Sequence, residues 1–242
     1  MKTIATLALS PTAAHLAQAS TILQNGGLVA FPTETVYGLG ADASNDHAVA
    51  KIYQAKGRPQ FNPLIVHVAN VQTARRFVQW NALADQLAQA FWPGPLTLVL
   101  PRKKDAVLSD LLSAGLPTIA IRVPKHPVAK ALLTQFGGAV AAPSANPSGQ
   151  ISPTSPAHVR SGLDGRIDAI VDGAVCTVGL ESTIVQLDDG AVLLRPGGVA
   201  VEDIEKEIGR PVSIRPNVKK ITAPGQLNSH YAPQAKVRLD AK

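Results

Sequence analysis

The feature of this sequence that most restricts its fold is a set of short apolar runs, residues 27–31, 64–68, 96–100, 118–123 and 139–142, each cut off by proline, glycine or a polar cluster. Runs of that length make buried strands, and none approaches the roughly twenty apolar residues that a membrane span needs. The segments between them read as helices. Ser10-Pro11 offers a cap and a first-turn proline for a helix that runs to Asn25 and stops at Gly26-Gly27. Asp46 is placed to cap a second helix that ends near Ala55, ahead of the breakers Gly57 and Pro59, and helical pattern returns across 71–91, 128–136 and 201–208. Strand and helix in alternation specify an α/β fold. Two β-rich runs, 183–187 and 191–194, flank Asp188-Asp189-Gly190, a hairpin signal that makes the expected sheet mixed.

At 242 residues, 45% of them apolar, the chain can bury one large core. The expected division is a main domain over 1–209 and an extended linker or lid over 210–242, a stretch rich in Pro, Asn, Lys and Gly. The single cysteine, Cys176, has no internal disulfide partner, and no CxxC or His/Cys cluster has metal-ligand spacing, so no metal ligands are expected from protein side chains. With no apolar leader at Met1-Lys2 and no membrane-length run, the expected compartment is the cytoplasm. Lys and Arg number 23 against 17 Asp and Glu, a net charge of +6. That balance favours polyanionic ligands and leaves nucleotide and nucleic acid both open.

The familiar nucleotide signatures are missing. There is no GxxxxGK[ST], Gly38-Leu39-Gly40 lacks the third glycine of GxGxxG at Ala43, and no GxSxG elbow occurs. What remains is a series of polar clusters after apolar strands or at helix ends. Lys56-Gly57-Arg58-Pro59 places a point charge and a two-pronged donor beside a glycine, which suits phosphate oxygens and equally suits a solvated turn at a helix C-terminus. His67, in a Val-rich strand, reads by itself as a core histidine. Pro143-Ser144-Ala145-Asn146-Pro147-Ser148-Gly149 is a tight turn that leaves backbone donors for a ligand, or a surface loop of common composition. Arg122 and Arg195 each end an apolar strand, where a guanidinium needs an anion: a ligand, or an internal ion pair.

Taken in order, Pro32-Thr33-Glu34-Thr35-Val36-Tyr37-Gly38-Leu39, Lys56-Gly57-Arg58-Pro59, Asn62-Pro63-Leu64, Pro143-Ser144-Ala145-Asn146, Ser152-Pro153-Thr154, Glu181-Ser182-Thr183-Ile184 and Leu194-Arg195-Pro196-Gly197 resemble the YrdC-type threonylcarbamoyl-AMP synthase family. The match runs from about Leu16 to Gly198, and His230-Tyr231-Ala232-Pro233 resembles the linker of its longer, two-domain branch, whose second domain has no counterpart before Lys242. The resemblance implies a twisted, largely open mixed sheet with flanking helices around a basic cavity. It implies a nucleotidyltransferase that converts L-threonine, bicarbonate and ATP, with Mg²⁺, to threonylcarbamoyl-AMP and pyrophosphate. That product would feed the tRNA threonylcarbamoyl transferase machinery, as the first step of t6A37 modification. Carried over residue by residue, Thr35, His67, Arg122, Ala142 and Ser182 surround the threonine, with Arg122 on its carboxylate. Arg58, Asn62, Thr118, Ser144, Asn146, Ser152 and Arg195 hold the nucleotide, His230 and Tyr231 close over it, and Lys56 and Arg58 carry the catalytic charge.

Two other readings compete: a non-catalytic RNA- or tRNA-binding module, with weak tRNA binding through the basic charge, and a related carbamoyl-adenylate-forming domain. Against the module, the basic residues are not interleaved with aromatics and no RNA-binding motif is present. A domain that took carbamoyl phosphate should ignore threonine.

Overall fold

The computed structural model describes residues 5–187, 190–214 and 223–224. In chain order its elements are β1 (Leu7–Leu9), α1 (Ala13–Gln24), β2 (Val29–Phe31), β3 (Gly38–Asp42), α2 (Asp46–Lys56), β4 (Ile65–His67), α3 (Val71–Ala74), α4 (Ala82–Phe91), β5 (Leu96–Pro101), β6 (Thr118–Arg122), α5 (Pro127–Phe136), β7 (Val140–Ala141), α6 (Pro156–Leu163), β8 (Ala169–Val171), β9 (Thr183–Leu187), β10 (Ala191–Arg195), α7 (Val201–Ile208) and β11 (Ser213–Ile214). The strands form one mixed sheet in the order β1-β8-β2-β3-β7-β4-β6-β5-β9-β10-β11, open at β1 and β11. The expected α/β class and open mixed sheet are what the chain builds, and β9 and β10 pair antiparallel as the hairpin signal required.

The caps differ from expectation by small steps. Thr12, not Ser10, caps α1, because its side chain accepts from the His15 N–H, and Pro11 stays outside the helix. Asn45 caps α2 by accepting from Ala48 N–H, which makes Asp46 the first helical residue. A helix does not open the described fold: β1 precedes it, a three-residue strand too short to show a pattern. The segment after Phe31 folds into β3 from Gly38 onward. Glycine is a poor strand former, yet Gly40 is required there. A Cβ at this position would lie 2.9 Å from the Phe31 ring and 3.0 Å from the Val29 carbonyl.

Side chains alternate across the sheet, and the two faces are filled differently. One face is covered along its length by α2, α4, α6 and α7, whose Val49, Ile52, Leu87, Leu163 and Ile204 meet Leu39, Val66, Leu98, Ile121 and Val185. On the other face, α1 and α5 pack Leu16, Leu23, Leu132 and Leu133 onto Val29, Phe31, Val140 and Val171. Further along that face, over β4, β6, β5 and β9, the cluster of Ile65, Val99, Ala120 and Ile184 is joined by Ala223 and by no helix residue among the described ones. This part of the sheet, over which the described residues place no helix, holds polar side chains of the site.

Candidate active site

The floor of the site is made by two strands in register. β4 and β6 run parallel with His67 opposite Arg122, and alternation turns both side chains to the face shared by Ile65 and Ala120. Both are buried. Around them, Thr33, Thr35, Gly38, Arg58, Ile65, Ala142, Pro143, Ser144, Glu181, Arg195 and Pro224 line one pocket.

Arg122 is held from three sides. Its Nε donates to the Gly94 carbonyl (3.1 Å), Nη1 to Thr35 Oγ1 (2.9 Å) and Nη2 to Glu34 Oε1 (2.7 Å). The other Glu34 oxygen accepts from the Lys125 N–H at 3.0 Å, so this carboxylate ties the loop after β2 to the entry of α5. His67 stays neutral: burial, then the nearby Arg122 charge, lower its pKa to about 3. Its Nδ1 is buried without a protein partner among the described residues, which in a pocket wall marks a place for a ligand polar group.

Arg58 follows the left-handed Gly57 that ends α2, a turn that swings the chain back under the pocket. Its Nε and Nη2 donate to the carbonyls of Asn62 (3.2 Å) and Pro63 (2.8 Å). Arg195 closes β10, with Nε and Nη2 on the Ser182 carbonyl (3.1 and 2.9 Å), Nη2 on Ser182 Oγ (3.1 Å) and Nη1 3.5 Å from the Pro224 carbonyl. Glu181 accepts from Ser152 Oγ at 2.7 Å and lies 3.6 Å from Arg195. Close passage of the chain makes this possible: Gly197 runs so near residues 181–183 that a Cβ there would sit 2.4 Å from the Glu181 carbonyl.

Of the residues expected at the site, Thr35, Arg58, His67, Arg122, Ala142, Ser144 and Arg195 line one pocket. Lys56, Asn62, Ser152 and Ser182 do not line it but bond residues that do, and the Asn146 carbonyl accepts from Lys56. Lys56 Nζ donates to the carbonyls of Ser144 and Asn146, and its own carbonyl accepts from the Ser148 N–H, so it pins the Ser144–Asn146 turn to the end of α2. Burial, reinforced by Arg58 and opposed by Glu181, brings its pKa down to about 7. Thr118 begins β6 opposite Pro101, at the far end of the strand from Arg122, and does not line this pocket. His230 and Tyr231 lie outside the described residues.

Residues 21–197 match the family profile described as telomere recombination (Sua5, YciO, YrdC), and residues 199–242 match that of the threonylcarbamoyl-AMP synthase C-terminal domain. The threonylcarbamoyl-AMP synthase of Bacillus subtilis (strain 168) is 49% identical over 237 residues, 96% of this chain and 68% of that protein. That of Pyrococcus abyssi is 46% identical over 225 residues, 90% of this chain and 66% of that protein. The crystal structure of P. abyssi Sua5 complexed with L-threonine superposes with a TM-score of 0.90 at 43% identity, covering 95% of this chain and 69% of the other. The chain belongs to the threonylcarbamoyl-AMP synthase family. It spans about two thirds of the length of these curated relatives.

Within this synthase fold, the residue that sequence reasoning left without a role is Glu34. It sits in the quoted opening motif, yet an acid in a basic, anion-seeking pocket has no place until its partner is known. The signal was present as the question of what anion Arg122 and Arg195 meet. The structure gives an internal carboxylate to each, Glu34 and Glu181, and still exposes both guanidinium groups to the pocket. Thr97, a buried threonine at the second position of β5, gave no signal at all.

Proposed function

We propose that this chain synthesises threonylcarbamoyl-AMP from L-threonine, bicarbonate and ATP, releasing pyrophosphate and water. The observation that carries the reading is the convergence of three buried arginines, Arg58, Arg122 and Arg195, on one pocket whose wall holds a single carboxylate, Glu181. Such a pocket suits a reaction in which several anionic groups must share one space. In this reading a carbamate oxygen of N-carboxylated threonine attacks the α-phosphorus of ATP, and the bond from that phosphorus to the bridging oxygen of pyrophosphate breaks. No protein nucleophile is needed. Catalysis rests on holding the reactants in line and on fixed cations where charge develops.

Arg122, with N–H groups left after its three internal bonds, would take the threonine carboxylate, and His67 and Thr35 would meet the polar groups beside it. Arg58 and Arg195, fixed by backbone carbonyls, would face the phosphates, while Lys56 would shape the Ser144–Asn146 turn. Mg²⁺ fits the donor set only as a nucleotide-borne ion. Among the described residues no three His, Cys, Asp or Glu side chains cluster, and Glu181 is the one carboxylate in the pocket wall. Mg²⁺ commonly takes one or two carboxylates together with phosphate oxygens, and when bound it neutralises phosphate charge. No helix of the described residues is long and apolar enough to cross a membrane. We place the reaction in the cytoplasm, upstream of the enzyme that transfers the threonylcarbamoyl group to tRNA.

The test is pyrophosphate release from ATP and bicarbonate with threonine, serine or no amino acid, with mass detection of the adenylate. Threonine-dependent release with the expected mass is the predicted result, and Arg58→Met or Arg195→Met should lower it about 10²- to 10³-fold. Turnover indifferent to threonine would sink the assignment.

A further inference from the structure

Two buried hydroxyl groups share a single contact. Thr97, 0% exposed, lies on β5, which pairs parallel to β9 with Leu96 opposite Thr183 and Thr97 opposite Ile184. This register sets its hydroxyl against Ser182, at 2.7 Å between oxygens. Ser182 Oγ also accepts from Arg195 Nη2 at 3.1 Å, and the Ser182 carbonyl accepts two more bonds from the same guanidinium. A hydroxyl has one proton and two lone pairs. The Arg195 N–H, always a donor, takes one lone pair of Ser182.

The two hydroxyl protons then compete for one oxygen-to-oxygen contact, and one proton is left over. If Ser182 donated to Thr97, the Thr97 proton would be left without an acceptor, since that hydroxyl makes no other hydrogen bond among the described residues, and a buried unmet donor is costly. The reverse arrangement moves the unmatched proton to Ser182, beside the pocket, where a ligand oxygen can meet it. Thr97 donates to the second lone pair of Ser182, and the Ser182 proton is free to turn toward the side on which Glu181 and Arg195 line the pocket.

We propose that Thr97 is a positioning residue: it fixes the Ser182 hydroxyl as a donor aimed at an anionic oxygen of the substrate that lies against Arg195. The inference rests on the reading of this pocket as the site for anionic substrates. The oxygen belongs either to a carboxylate or to a phosphate, and the experiment separates the two.

Thr97→Val removes the hydroxyl and keeps the branched shape, and Thr97→Ser restores the hydroxyl. Equilibrium binding of threonine and of ATP to the full chain, measured by calorimetry, is combined with KM and kcat from pyrophosphate release. The expected result is a loss of about 3- to 10-fold in affinity for one of the two substrates in Thr97→Val. Affinity for the other should hold, and Thr97→Ser should return to within about twofold of the parent. A change confined to threonine identifies a carboxylate oxygen, and one confined to ATP a phosphate oxygen. Ser182→Ala should reproduce the loss, and Thr97→Val added to Ser182→Ala should cost nothing more. Unchanged binding in Thr97→Val, equal losses for both substrates, or additive losses in the double variant would overturn the proposal. A parent chain that binds both substrates without turnover would refute the assigned reaction while leaving Thr97 judged by binding. A parent that binds neither would overturn both.

Discussion

Removing Glu34 should be far more damaging than removing it together with its partner. Glu34 and Arg122 are 6% and 3% exposed and meet at 2.7 Å, and the second Glu34 oxygen satisfies the Lys125 N–H. Glu34→Ala leaves a buried guanidinium without its counter-charge, and loss of one partner of a buried pair costs about 3–5 kcal/mol. In a chain of this size each kcal/mol lowers the melting temperature by about 2–4 °C, so the expected drop is about 6–20 °C. Replacing both members with apolar side chains removes the stranded charge, and such double replacements are often close to neutral. Glu34→Ala combined with Arg122→Met should therefore be more stable than Glu34→Ala alone, although it should be inactive. Urea unfolding of the parent, both single variants and the double variant closes the cycle. A Glu34→Ala effect below about 1 kcal/mol, or a double variant that shows the sum of the single losses, would refute the view that this pair is a coupled, desolvated unit.

Lys56 should make the fold more stable as pH rises above neutrality. Its folded pKa is about 7 against an ordinary 10.5, so between those values the unfolded chain holds a proton that the folded chain lacks, and stability rises with pH by at most about 1.4 kcal/mol per unit. Urea midpoints of Lys56→Met should lack that slope between about pH 7 and 9. His67 acts with the same sign in a more acid window: with a folded pKa of about 3 it stays neutral while the unfolded ring protonates, so stability is lost as pH falls below the ordinary 6.5. NMR should show a ring that does not titrate between about pH 5 and 8. Gly197→Ala would force a methyl group into the backbone of residues 181–183, and should cost at least about 1–3 kcal/mol and the Arg195–Ser182 geometry with it, read as lost ATP binding in the chain that remains folded.

The parts of the fold that were legible in the sequence are those where residue type and environment agree. β5, β6, β9, α5 and α7 were placed to within a residue or so, because each is an unbroken apolar or periodic segment with clear stops. β3 was not legible, since Gly38 and Gly40 are there to make room for Phe31 and Ala142, a demand set by neighbours distant in the chain. β1, β8 and β11 are two or three residues long and carry no period to detect. At the site, the cationic residues announced themselves by being arginines in apolar strands. Their internal anions did not, because which acid meets which arginine is decided by sheet order, and a buried threonine such as Thr97 is indistinguishable in sequence from any strand residue.

The strand order also governs how the chain can acquire this fold. β8 lies between β1 and β2, and Thr6 bonds the carbonyl of Ile167, 161 residues further on. During synthesis the first strand and the open edge of β2 must wait until residues 169–171 have emerged, leaving an apolar strand edge unpaired while most of the chain is being made. Pairing across such separations is slow, so this molecule should fold late and as a whole, with a growing chain that depends on protection of that edge.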